Sequence, residues 1–263
     1  VGDRVALEPG IPCRKCSYCK GGHYNLCPNV AFMAAPHTDG AMREYVKTAA
    51  DFAFKLPENM SFEDGTLVEP LSVGLYATRR GRIAPGDNVV ITGAGTIGLM
   101  ALQAARVYGA AKRVVIDVQP DRLEMAKRLG ATHVVNPKEQ DADSFIQELM
   151  PGGTDVVLEA AGAVPTIQMA TRLVRKGGRI VLIGMPGVDE VPVNLLDIIV
   201  KEIDVMGMFR YHNVYGEAVR LIATGLVEVR SLHTHTYPLE KASEAIEKAH
   251  ASEKGTIKVI IRP

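Results

Sequence analysis

The run Val90-Ile91-Thr92-Gly93-Ala94-Gly95-Thr96-Ile97-Gly98 constrains this chain more than any other stretch. It reads as an apolar strand that breaks into Gly-x-Gly-x-x-Gly and continues as a helix. A second apolar strand, Arg113-Val114-Val115-Ile116, follows and ends in Asp117, nineteen residues after Gly98. That order of parts builds a dinucleotide site. Gly93 permits a tight turn, Gly95 lets backbone approach a pyrophosphate, and Gly98 lets helix and strand pack closely. The helix from about Thr96 then points N–H groups and its positive dipole end at the phosphates. Asp117 stands where an acid accepts the ribose hydroxyls and repels a 2′-phosphate, so NAD is expected rather than NADP. Arg122, at the start of the next helix, is placed to meet the adenosine side. A solvated helix-face arginine is the plainer account of it.

The pattern around this motif gives the fold class. Strands are expected at 88–92, 113–117, 133–136, 155–159, 179–183 and 203–208. Helices are expected between them at 96–108, 121–129, 143–150 and 165–175, with stops at Gly109, Gly130, Gly152-Gly153 and Gly177-Gly178. Strand and helix in alternation predict an α/β, doubly wound parallel sheet. Before it, residues 1–71 read as short strands, turns and a cysteine-rich lobe, with Val5-Ala6-Leu7-Glu8 as a strand piece. The stretch 41–47 alternates like a half-buried strand. After Phe209 come a helix near 214–224, a strand at 232–237, a helix from Leu239 to about His250, and a terminal strand at 256–261 that is expected to return to the first domain. The predicted domains are therefore 1–71, 72–208 and 209–263.

All four cysteines fall between residues 13 and 27, as Cys13-x-x-Cys16-x-x-Cys19-(x7)-Cys27. Short x-x loops turn successive sulfurs toward one centre, which suits tetrahedral thiolate coordination of zinc. Two disulfides are the alternative, and a chain without a secretory signal disfavours them. Four protein ligands leave no open position, so such a zinc is structural. Arg14, Lys15 and Lys20 are placed to offset its negative charge. His23, His37 and His212 are single histidines without ligand spacing, and His235 reads as a hydrogen-bonded anchor.

The 263 residues carry 30 Lys+Arg against 30 Asp+Glu, so no net field favours nucleic acid or an anionic membrane. No apolar run is long enough to span a bilayer and no signal peptide opens the chain, which predicts a cytoplasmic protein.

The cysteine lobe, Val68-Glu69-Pro70-Leu71-Ser72-Val73-Gly74, the glycine motif and Phe209-Arg210-Tyr211 occur in an order that resembles the zinc-dependent medium-chain dehydrogenases. Glu-Pro-Leu-Ser-Val-Gly and Phe-Arg-Tyr point within them to the polyol branch, the sorbitol and xylitol dehydrogenases. The resemblance implies a Rossmann domain beside a partial GroES-like β-barrel. It also implies NAD-dependent oxidation of a polyol to a ketose by zinc-assisted hydride transfer, and a homo-oligomer, tetramer or dimer. Glu69 takes the position beside the catalytic zinc, and Arg210 and Tyr211 take those of substrate contacts, with Arg210 also placed to hold Glu69. Ile97, Asp117, Arg122 and Arg210 match dinucleotide contacts, with Gly93, Gly95 and Gly98. Ile183, Gly184, Met185 and Phe209 would border the nicotinamide. Read without the resemblance, Glu69 is a helix N-terminal acid, Arg210 an ion-pair partner and Tyr211 a core residue.

The family's cysteine and histidine-glutamate ligands of the catalytic zinc are not found here, and no cysteine is spare. The chain opens Val1-Gly2-Asp3-Arg4-Val5, in the manner of the middle of a domain. It is therefore expected to lack the amino-terminal part of such an enzyme, to hold only the structural zinc, and to turn over weakly by itself. Two alternatives remain: a dehydrogenase of the same superfamily acting on threonine, butanediol or a simple alcohol, and a non-catalytic NAD-binding module.

Overall fold

A computed structural model describes all 263 residues, Val1–Pro263. The chain divides into two compact units: Val1–Ser72 with Phe209–Pro263, and Val73–Met208.

The first unit begins with short elements. Strand β1 (Val5–Leu7) leads to β2 (Gly10–Ile11), helix α1 (Ser17–Lys20), β3 (Ala31–Phe32) and β4 (Ala53–Lys55). β1 pairs antiparallel with β4, and β2 with β3. Helix α2 (Phe62–Thr66) starts in a capping box: Ser61 Oγ accepts from Asp64 N–H at 3.0 Å, and Asp64 Oδ2 accepts from Ser61 N–H at 2.9 Å. Each carboxylate or hydroxyl thereby satisfies a donor that the helix start leaves without an intrahelical partner. Helix α3 (Val68–Arg80) follows after one residue and carries Glu69 in its first turn. The stretch 41–47 is not the strand its alternation suggests. It joins no ladder, and Met42 and Tyr45 are exposed, so the alternating pattern has neither a partner strand nor a face to bury.

The second unit is a six-stranded parallel sheet. Its strands are β5 (Val89–Thr92), β6 (Arg113–Ile116), β7 (His133–Val135), β8 (Thr154–Glu159), β9 (Val174–Leu182) and β10 (Asp204–Gly207). Between them run α4 (Thr96–Val107), α5 (Pro120–Arg128), α6 (Ala142–Leu149), α7 (Val164–Leu173) and α8 (Leu195–Val200). The spatial order is β10-β9-β8-β5-β6-β7, so the chain builds outward from β5 and then crosses back to build outward from β8. All four residues of β5 are buried, as a strand covered on both faces by helices requires. One core cluster packs Val90, Val114, Ile116, Val157 and Ile180 against Ile146 and Leu173 from the helices. Gly74 lets α3 approach α4: an added Cβ would lie 2.7 Å from the Met100 carbonyl carbon.

Two elements of this unit differ from expectation. α7 stops at Leu173, and β9 begins at Val174 rather than 179, with Gly177 at φ +65° inside it and a register shift against β8. A bulge therefore absorbs the two glycines that read as a helix stop. α8 is a helix that the sequence pattern does not mark, because its six residues carry too little periodicity.

The chain then re-enters the first unit with α9 (Tyr215–Ala223), β11 (His233–Pro238), α10 (Ala242–Ala251) and β12 (Lys258–Arg262), where β11 and β12 pair in parallel. No helix is long and apolar enough to cross a membrane.

Candidate functional site

The dinucleotide motif sits where the sheet changes its direction of growth, at the carboxyl ends of β5 and β8. Open α/β sheets bind ligands at such a switch point. Gly93 holds φ +88°, a conformation that a side chain strongly disfavours. Gly98 lies so close beneath it that an added Cβ would fall 1.8 Å from the Gly93 carbonyl oxygen. Gly95 is the opposite case. Nothing lies within 4 Å of its missing Cβ, and it caps α4 without a side chain, leaving a cradle open over the helix start. That cradle fits a pyrophosphate.

Asp117 follows β6 and reaches back to the same loop. Its Oδ2 accepts from Ala94 N–H at 2.6 Å, and its Oδ1 from Gln119 N–H at 2.8 Å. Ile97 and Arg122 lie half-buried in the first turns of α4 and α5. Ile183, Gly184 and Met185 follow β9, and Met185 is exposed. Sequence reasoning missed Glu159, at the end of β8. It is fully buried and accepts from Thr92 Oγ1, Ala161 N–H, Gly162 N–H and Thr166 Oγ1 at 2.8–3.2 Å. Its carboxylate orders the turn that packs against Gly93, whose Cβ would meet Ala161 at 3.0 Å. A buried acid inside an apolar strand is the signal that could have revealed it.

In the other unit, Cys13, Cys16, Cys19 and Cys27 bring their sulfurs within 4.8 Å of one another. Cys16 and Cys19 are 3.4 Å apart and Cys13 and Cys19 4.0 Å, and no pair is bonded as a disulfide. A tetrahedron of Zn–S bonds about 2.3 Å long has edges of roughly this length, so the cage fits zinc. Backbone N–H groups of Lys15 and Cys16 hold the Cys13 thiol down at about 6, while desolvation and the neighbouring sulfurs push Cys19 up to about 12. Arg14 is not spent on the thiolates as its position suggested, because it pairs with Asp51 at 2.7 Å.

The family-pattern residues also meet in this unit. Tyr211 Oη donates to Glu69 Oε1 at 3.1 Å across 142 residues of sequence. Burial pushes the Glu69 carboxyl above its ordinary range, against the opposing pull of the Tyr211 hydroxyl and Lys258. Burial and then the Glu69 charge push the Tyr211 hydroxyl far up. Arg210 does not hold Glu69. Its guanidinium stacks over Phe32 at 4.0 Å and over Phe209 at 4.6 Å, and its Nη1 is buried without a hydrogen-bond partner. The geometric reason is local. Arg210 adopts φ +56°, a turn that sends it to the aromatic pair while Tyr211 faces the acid. A catalytic zinc needs three protein donors and an open position. The cysteine cage is the sole cluster of three or more such donors, so the residues around Glu69 do not fit a second zinc.

Further polar residues line this region. Glu8 is buried and accepts from Tyr24 Oη at 2.7 Å; burial pushes its carboxyl up to about 7, against that hydrogen bond. Tyr215 Oη donates to Leu7 O at 2.6 Å. His23 and His212, read as single histidines, are paired, Nδ1 to Nε2 at 3.3 Å. His235 Nδ1 meets Thr234 Oγ1 at 3.0 Å, in keeping with an anchor.

A glycine cradle at the switch point of a parallel sheet fits a dinucleotide, and a closed cage of four thiols fits a zinc ion. Comparison with known proteins gives the particular family. A zinc-binding dehydrogenase model matches residues 96–224, and an alcohol dehydrogenase GroES-like domain model matches residues 1–58. The chain is 43% identical over 264 residues to the sorbitol dehydrogenase of Bacillus subtilis (strain 168), covering 100% of this chain and 75% of that protein. It is 42% identical over 259 residues to the probable D-xylulose reductase A of Aspergillus clavatus, covering 96% and 72%. Among solved structures, an Escherichia coli oxidoreductase/dehydrogenase of unknown specificity, described as involved in membrane biogenesis, superposes with a TM-score of 0.95 at 40% identity, covering 100% and 76%. The chain belongs to the zinc-dependent medium-chain dehydrogenase family. It is an oxidoreductase with zinc and NAD as its cofactors.

Proposed function

We propose that this protein serves the NAD-dependent oxidation of a polyol of the sorbitol or xylitol type to a ketose. The observation that carries this reading is the Tyr211–Glu69 hydrogen bond, which joins the two sequence segments that mark the polyol branch. The names of the Bacillus and Aspergillus relatives support it.

Bound NAD would supply the acceptor for a hydride from the carbinol carbon, with loss of a proton from the hydroxyl. The chain's own residues would do the following. Gly93, Gly95, Ile97 and Gly98 cradle the pyrophosphate at the start of α4. Asp117 and Arg122 meet the adenosine ribose, and Ile183, Gly184 and Met185 border the nicotinamide. Arg210, with a buried N–H lacking an acceptor, donates to a polyol hydroxyl. Tyr211 orients Glu69 by donating to Oε1, and the raised carboxyl holds or passes a proton at its other oxygen. The chain assembles no three-donor set around Glu69, so turnover by the isolated 263-residue chain is slow.

Saturation-transfer NMR on the NAD-loaded chain tests the substrate class without relying on turnover. Sorbitol and xylitol are expected to bind, and excess 2,3-butanediol or threonine to leave them bound. Displacement by butanediol, with no competition among polyols, overturns the reading in favour of another alcohol.

The partner is a second copy of the chain. β10 is an unpaired sheet edge, and beside it Leu195, Leu196, Ile199, Val200 and Val205 are exposed. Light scattering should give a dimer or tetramer mass, and a monomer at micromolar concentration overturns this.

A further inference from the structure

Residues 209–213, which carry Arg210 and Tyr211, form neither strand nor helix. Arg210 and Asn213 both hold left-handed backbone, at φ +56° and +54°, in a stretch without glycine. Such a conformation persists only where its surroundings fix it. Four consecutive residues of the cysteine lobe do so. Asn25 Nδ2 donates to Phe209 O at 2.8 Å, and Asn213 N–H donates to Tyr24 Oη at 2.8 Å. Asn213 Nδ2 donates to Gly22 O at 3.0 Å, and His23 meets His212 at 3.3 Å. Asn213 Nδ2 also lies 3.1 Å from His212 Nδ1, which must therefore accept, so His212 Nε2 carries the proton toward His23 Nδ1. Tyr24 is fixed in turn, because its hydroxyl proton goes to the buried Glu8.

The holding residues lie between Cys19 and Cys27, so both ends of their loop belong to the same sulfur cage. We propose that the lobe loop 22–25 is a positioning element for the substrate segment 209–213, through which the lobe's zinc sets the orientation of Arg210 and Tyr211. The zinc then does more than hold its own loop together. This rests on the reading of Arg210 and Tyr211 as polyol contacts.

Backbone amide exchange, polyol affinity and NADH affinity, measured on the zinc-loaded chain, test it together. In Tyr24→Phe, which deletes one oxygen, the Asn213 amide should exchange roughly five- to tenfold faster, the worth of one hydrogen bond. Asn213→Gly removes the amide side chain while keeping the positive φ accessible, and so guards against a simple folding defect. Both variants should weaken sorbitol binding severalfold while keeping one zinc per chain and an unchanged NADH affinity. Removing the zinc with a chelator should speed exchange across 209–213 by tenfold or more. Unchanged exchange in 209–213 after zinc removal, or in both variants, overturns the proposal. Faster exchange with unchanged sorbitol affinity instead removes Arg210 and Tyr211 from the polyol site and leaves the clamp standing.

Discussion

The two units keep their shape by different means. In the dinucleotide unit the chain is contiguous, six strands join in one parallel sheet, and close backbone approach at Gly93, Gly98 and Gly74 sets the geometry. In the other unit the paired sheets have two strands each, and single polar side chains tie residues 142–191 positions apart. The first is specified by what is missing, a Cβ at the right place. The second is specified by what is present, a hydroxyl or amide at the right distance. The first kind of specification tolerates no added atom, whereas the second loses one bond at a time.

The largest effect that would sharpen this contrast comes from the lobe's metal. Cys27→Ser should abolish zinc retention, forfeiting binding free energy on the order of 10 kcal/mol, and unfold the lobe. NADH affinity, carried by residues 73–208, should persist. Loss of both together in a zinc assay and an NADH titration would mean that the two units are not specified separately. Next comes Gly98→Ala. The added methyl has no room against Gly93 O, so NADH binding should fail and the second unit should lose about 3 kcal/mol or more, with zinc still at one per chain. An alanine variant with normal NADH affinity would break the close-approach account.

The smallest effect concerns Glu8. Its folded carboxyl is raised from the ordinary 4.5 to about 7, so the folded state favours the protonated form. The stabilisation that this proton brings is complete below about 4.5 and is lost as pH rises through about 7. Glu8→Gln should therefore flatten the decline in stability across that window and stabilise the first unit at pH 8 by roughly 1–3 kcal/mol. Urea melts at pH 5 and pH 8 check this, and an unaltered slope would show that Glu8 ionises without cost.

The same contrast explains what could be read from sequence. Glycine spacing, apolar strands and Asp117 are local signals, so the parallel sheet and its cradle were legible. The sulfur cage was legible too, because its ligands lie within fifteen residues. Tyr24, Asn25 and Asn213 belong to no periodic pattern, and His23 and His212 looked solitary because their pairing spans 189 residues. The 41–47 alternation misled for a related reason: period two describes a face, and only a partner makes it a strand. Residue identities placed Arg210 beside Glu69, whereas backbone conformation assigned that place to Tyr211.

Asp117 joins the two modes of specification. Both of its oxygens are tied to main-chain amides, one of them in the glycine loop, at the position expected to discriminate against a phosphorylated ribose. Cofactor choice and loop shape therefore share one side chain. A lineage, or an engineer, seeking the phosphorylated cofactor cannot merely delete the acid. The replacement must still accept from Ala94, which makes serine or asparagine a more accessible first step than alanine and makes the switch a path of coupled rather than independent substitutions.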